Sequence, residues 1–262
     1  DTKGVVELME YISKGNIIGY DTETTSVNPR TGKIIGFSVS CNLNEGYYFP
    51  TKIWNPDNQV LEDLYIGGRN CEDTAKLFVK ELVGKKLVMH NGSFDVRYTK
   101  NCYGVDLRDS LYCDTMLLRH TLKEDGPFGL KDIAIELQND IGIDAEAEAN
   151  EEQLRLKKSI TDNGGSTTKT NYEIYKGDMQ ILGEYAAADT DLTLRIMTHY
   201  LPILKEEGLW DFFFTDEVMP LYRTVTIQME ERGAQLDMDL INEMDVQITK
   251  TLKLWSKRLL KP

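Results

Sequence analysis

Apolar residues recur along this chain in helical and strand-like spacings that alternate in a regular order. Val5, Leu8, Met9 and Ile12 fall on one helix face, predicting an amphipathic helix over residues 2–14 that Gly15-Asn16 stops. An apolar run, Asn16 to Glu23, then reads as a strand, followed by a turn through residues 28–32. Ile34 to Ser40 alternates apolar and small residues, and Gly46 to Pro50 follows a short Asn-rich turn. Three short strands in succession predict an antiparallel meander.

Beyond a polar connection over residues 56–68, the spacing changes to helix after strand. Ala75, Leu77, Phe78, Leu82 and Val83 predict a helix that Gly84 closes. Lys85 to His90 is a short buried strand, and Asn91 to Asp95 turns into a helix ending near Asn101. A further strand ends at Cys113-Asp114-Thr115, where Asp114 caps a helix over 116–122. Gly129 to Gln138 is another amphipathic helix. Residues 141–165 are acidic and then polar, with Asn163 to Ser166 as a loop. A long helix is expected from about Met179 to Glu207, bent or divided at Pro202, and another from Trp210 to Glu231. The last helix, Asp239 to Lys261, carries Leu252, Trp255 and Leu259 on a face that nothing in the sequence covers. The pattern is that of a mixed α/β sheet flanked by helices, with a truncated helical second domain. The expected division is 1–208 and 209–262.

Composition narrows this picture. With 262 residues, 41% of them apolar, the chain can bury a large core. No apolar run reaches the length of a transmembrane helix, and the N-terminus lacks both a signal-peptide layout and an initiator Met. Cys41, Cys71, Cys102 and Cys113 form no C-x-x-C pair, which predicts reduced thiols in a cytoplasm-like compartment. A formal net charge of -13 opposes nonspecific phosphate binding unless the acids hold metals and a partner domain supplies basic surface.

The acids supply the chemistry. Asp21 and Glu23 are two apart on a strand, so both side chains point to one face. Two carboxylates aimed together repel unless a cation lies between them, although an isolated D-x-E also ends ordinary edge strands in solvent. Asn91 and Asp95 stand where a strand passes into a helix, a place where α/β sheets assemble sites and where Asn is also a common helix cap. Tyr185 and Asp189, four apart on the long helix, share a face, and the intervening alanines allow close packing on the sheet.

Taken together, D-x-E, N-x-x-x-D and Y-x-x-x-D resemble the signature of the DEDDy 3'-5' exonucleases. The resemblance narrows to the proofreading domain of family A DNA polymerases, the DNA polymerase I type, with a free-standing RNase D or Werner-type exonuclease and a non-catalytic scaffold domain of the polymerase as the alternatives. It rests on Cys113 to Leu117, Gly129 to Ala134 and Glu184 to Leu194, and on two segments that resemble the entry to the polymerase domain, Glu217 to Leu221 and Met229 to Asp237. It implies a ribonuclease H-like fold and two divalent cations, Mg2+ or Mn2+. Asp21, Glu23 and Asp189 would hold one cation and Asp21 and Asp95 the other, with Tyr185 orienting the attacking water. It also implies substrate contacts at Thr22, Val27, His90, Asn91 and Phe94, with a single-stranded or frayed DNA 3' end as substrate and the polymerase domain of a parent chain as partner. The implied compartment is a bacterial or phage-infected cytoplasm, or an organellar matrix. One departure stands out: the Arg that the family places before its G-L-x-x-I-A helix has no clear equivalent, leaving Lys123 or Lys131 to take its place. His120 and His199 read as structural.

Overall fold

A computed structural model describes residues 1–259. One compact unit runs from Asp1 to Ile227 and a second begins at Gln228. The first is built on a five-stranded sheet: β1 (Ile17–Thr24), β2 (Ile34–Ser40), β3 (Tyr47–Pro50), β4 (Lys86–Met89) and β5 (Leu111–Asp114), in spatial order 3-2-1-4-5. The meander is present, since β1–β2 and β2–β3 are antiparallel. The two later strands join on the other side of β1 in parallel. Every residue of β2 is buried, as expected of a strand covered on both faces.

Helices α1 (Thr2–Lys14), α2 (Cys71–Glu81), α3 (Ser93–Tyr103), α4 (Thr115–Leu122), α5 (Leu130–Ile141), α6 (Ala145–Asp162) and α7 (Met179–Glu206) surround the sheet. Phe37, Phe49 and Phe78 meet at ring-centroid distances of 4.9–6.0 Å and anchor the core. Such aromatic pairs add about 1 kcal/mol each beyond their area burial. All four cysteines are free thiols.

Three expectations change. The segment read as acidic and then polar contains α6, an 18-residue helix. Its apolar anchors are sparse: Leu156 and Ile160 are fully buried against Leu182 and Ile35. Pro202 does not divide α7, which runs unbroken through it. The connection over 56–68 holds the second strand of a hairpin, Lys52–Asn55 with Val60–Asp63, and part of a smaller hairpin pairing Tyr65–Ile66 with Arg69–Asn70.

After α7, residues 212–226 follow as short π-helical and α-helical turns. Phe213, Met219, Tyr222 and Ile227 are buried in the same core as the sheet, so the packing of the first unit continues past residue 208. In the second unit, the helix Met238–Leu259 exposes Leu252, Leu254 and Trp255. The side chain of Leu259 and the expected helix end at Lys261 lie outside what is described.

Candidate active site

The site begins with the alternation of β1. Gly19, Asp21 and Glu23 face α7, whereas Tyr20 and Thr22 face α3. On the α7 side, Gly19 permits a close approach: a Cβ there would stand 2.7 Å from the Thr190 carbonyl oxygen. Gly46, ahead of β3, does the same against the Ala187 carbonyl, at 2.3 Å. Asp178 caps α7 by accepting from the Gln180 and Ile181 N–H groups, and the helix then carries Tyr185 and Asp189 one turn apart. Of the three alanines, Ala186 is fully buried and the other two are half-buried.

On the other face, the Tyr20 and Thr99 hydroxyls are hydrogen-bonded at 2.8 Å. Thr22 donates twice to Asp95 Oδ1, through its hydroxyl at 2.6 Å and its N–H at 2.9 Å. Thr22, expected at the substrate, thus spends its donors on aiming Asp95. The turn that delivers Asp95 is held by Asp114, which has two jobs. It caps α4 through the Met116 and Leu117 N–H groups and also accepts from Gly92 N–H at 2.7 Å and Asn91 N–H at 3.3 Å. Asn91 adopts a left-handed φ of 59°, and its contribution to the start of α3 is its carbonyl, which accepts from Phe94 N–H at 3.0 Å. The Ser93 N–H donates to the Tyr222 hydroxyl at 2.9 Å. Asp95 therefore lies in the first turn of α3, where the helix dipole favours a carboxylate.

Asp21, Glu23, Asp95 and Asp189 share one field. Burial, then the charges of Asp95, Glu23 and Asp189, push Asp21 well above the usual carboxylate range. Burial and the Asp189 and Asp95 charges raise Glu23 to about 8. Burial raises Asp95 to about 7 against the opposing bonds from Thr22. Asp189 is raised by burial, with Lys131 pulling the other way. The phenol of Tyr185 is pushed well above its ordinary value, first by the Asp189 charge and then by burial, so it keeps its proton.

Lys131, in the first turn of α5, is the cation among these acids. Its ammonium is ion-paired with Asp189 Oδ1, lies 3.5 Å from Glu152 Oε2 on α6, and stands 4.8 Å from the centre of the Tyr185 ring. Burial disfavours its charge, but Asp189 and Glu152 outweigh burial and raise its pKa. The fully buried Arg119 holds the approach to α5 by donating to the Lys123 carbonyl oxygen at 3.0 Å and to Glu136 at 3.0 Å.

Oxygen-only donors in a field this short of positive charge suit hard divalent cations. Among the described residues, no three His, Cys, Asp or Glu side chains already stand close enough to grip an ion. The site is a set of donors held apart, with Lys131 among them, rather than a finished cage.

The remaining expected contacts scatter. Val27 is 88% exposed and lines an open groove with Thr24 to Ser26 and with Lys169 to Tyr172. Phe94 packs its ring 4.7 Å from that of Tyr98, half-buried against the core. His90 Nδ1 is 2.9 Å from the Thr115 hydroxyl, and burial lowers its pKa, so the ring is neutral. His120 and His199 stand beside the rings of Phe128 and Tyr200. Sequence reasoning missed the central position of Lys131 and the second job of Asp114, because no periodicity marks either one.

Residues 1–205 match a 3'-5' exonuclease family. The chain belongs to that family. Its curated relatives are DNA polymerases. The DNA polymerase of Escherichia phage T5 is 26% identical over 252 residues, 92% of this chain and 26% of that protein. DNA polymerase I of Borreliella burgdorferi is 26% identical over 239 residues, covering 90% of this chain and 22% of that protein. This exonuclease chain spans about a quarter of the length of both. The fold is shared with the crystal structure of Escherichia coli RNase D, at TM-score 0.52 and 14% identity over 89% of this chain and 49% of that one. The exonuclease therefore has the ribonuclease H-like fold that the resemblance implied. No helix among its described residues is long and apolar enough to cross a membrane.

Proposed function

We propose that this exonuclease is the proofreading module of a family A DNA polymerase, removing nucleotides as 5'-monophosphates from a single-stranded or frayed DNA 3' end. The observation that carries the reading is the meeting of Asp21 and Glu23 from β1, Asp95 from α3, and Tyr185 and Asp189 from α7 in one electrostatic field. The polymerase identity of the curated relatives favours DNA over RNA, and residues 209–262 then lead into the polymerase domain. A bacterial or phage-infected cytoplasm follows from the same relatives.

In this reading Asp21, Glu23 and Asp189 would hold one Mg2+ or Mn2+, and Asp21 and Asp95 would hold a second. When bound, two such cations supply Lewis acidity at the scissile phosphate and lower the pKa of water at the site. Thr22 fixes the rotamer of Asp95 through its two hydrogen bonds. The phenol of Tyr185 orients the attacking water by hydrogen bonding, and because the surrounding acids keep it protonated it does not act as the base. The groove beside Val27, with Lys169 and Tyr172 on its far wall, receives the strand end.

The test is release from 3'-labelled single strands in Mg2+, with DNA and RNA compared. DNA is expected to be degraded faster and EDTA to stop the reaction; a wild-type chain that is inert, or that prefers RNA ends, would remove the proofreading assignment. Tyr185→Phe is expected to slow release by up to about 100-fold while metal binding stays unchanged by titration. Full-rate hydrolysis by Tyr185→Phe would take the phenol out of the mechanism.

A further inference from the structure

The Lys131 ammonium occupies the place where the acids most need positive charge. It is ion-paired with Asp189 on α7, faces the Tyr185 ring at 4.8 Å, and has a second carboxylate, Glu152 on α6, at 3.5 Å. Its side chain is only 15% exposed. We propose that Lys131 competes with a divalent cation for Asp189, and that the cation binds there by exchange, moving the ammonium off Asp189 and onto Glu152. The inference rests on the reading of these acids as metal ligands.

The exchange follows from charge and reach. An ammonium and a divalent cation bonded to one carboxylate repel each other strongly in a site shielded from water, so both cannot stay at full contact. Lysine is suited to yield: its charge is a single point on a flexible four-carbon stem, with no fork that must be satisfied in one plane. Glu152 already stands within reach, so withdrawal asks for a rotation of the lysine side chain and not a rebuilding of α5. Asp21 and Glu23 also feel the Lys131 charge, so its reach extends beyond Asp189 to the cluster as a whole. The metal affinity of the site is then set by its ligands and also by how readily Lys131 leaves.

The test is Mn2+ binding to the whole chain at fixed pH and ionic strength, read by electron paramagnetic resonance of free Mn2+. Wild type, Lys131→Met, Glu152→Gln and the double variant are compared, together with Asp21→Asn. Lys131→Met removes the competitor and is expected to bind Mn2+ about tenfold more tightly. Glu152→Gln removes the carboxylate that receives the ammonium and is expected to bind roughly threefold more weakly, an effect that disappears once Lys131 is already Met. A merely structural role would weaken both single variants together. Lys131→Met binding no tighter than wild type, or a Glu152→Gln effect that persists in the double variant, overturns the exchange. Should Lys131→Met fail to fold, Lys131→Gln, which also removes the competing charge, takes its place in the same four-way comparison with the same outcomes. Wild type binding no Mn2+, or Asp21→Asn binding as well as wild type, would instead bring down the metal-site reading beneath it.

Discussion

Asp21→Asn combined with Glu23→Gln is expected to lower nucleotide release from a 3'-labelled single strand by more than about a thousandfold in Mg2+, because residues acting on one reaction centre fail as a unit. The substitutions keep shape and remove charge, so the same protein has a second readout in stability. Glu23 rises from 4.5 to about 8 on folding, and Asp21 rises with it. A carboxyl group that is harder to ionise in the folded state binds its proton more tightly there. Between pH 4.5 and about 8 the unfolded chain has released a proton that the folded chain still holds. Stability of the metal-free protein therefore falls as pH rises through that window, and the penalty is complete above it. In EDTA the double variant is expected to melt above wild type at pH 8.5 and close to it at pH 4.5, and Mg2+ is expected to raise wild type alone. Equal melting of the two proteins in EDTA at the higher pH would mean that neither burial nor the neighbouring carboxylates raise these acids. Undiminished release by the variant would remove them from the site.

Gly19→Ala is expected to damage catalysis without touching a reacting group. The added Cβ would meet backbone, the Thr190 carbonyl oxygen at 2.7 Å, with Leu194 Cγ behind it at 3.2 Å. A flexible side-chain end can swing aside, whereas a carbonyl in the middle of a helix cannot, so α7 must move off the sheet. Overpacking of this kind costs about 1–3 kcal/mol. The helix that moves carries Tyr185 and Asp189, and the strand that stays carries Asp21 and Glu23. A displacement near 1 Å between groups that must act together lowers turnover by about a hundredfold. Thermal melting and single-turnover release measure the two effects. A Gly19→Ala protein with wild-type kcat would show that the separation of α7 from β1 has slack to spare.

The sheet and the acid positions were legible in the sequence because each is fixed by a short-range rule. The i, i+2 geometry of a strand pairs Asp21 with Glu23, and the i, i+4 geometry of a helix pairs Tyr185 with Asp189. The strand-to-helix junction at Asn91 is punctuated by its polar residues and Gly92. What escaped depends on packing between distant segments. Helix α6 hid because its buried positions, Leu156 and Ile160, are few and lie in a charged stretch whose partners, Ile35 and Leu182, come from a strand and another helix. Pro202 was expected to bend or divide α7, and it does not divide it: the helix continues through the proline near its end, where few backbone hydrogen bonds remain to be lost. Lys131 was singled out only, beside Lys123, as a stand-in for the family's missing Arg, since nothing local says that its ammonium will pair with Asp189. Asn91 was read from its side chain, whereas the fold uses its backbone.

The hydrogen bond from Ser93 N–H to the Tyr222 hydroxyl bears on where this exonuclease ends. The family match stops at residue 205, yet the helix start that presents Asp95 is tethered from beyond that point, and Phe213, Met219 and Ile227 fill the same interior. The stretch that carries the chain out of the catalytic fold is thus also one of its buttresses. A piece severed after residue 208 would keep every acid and lose a wall, leaving a hollow on one flank and the Asp95 turn without its outer tie.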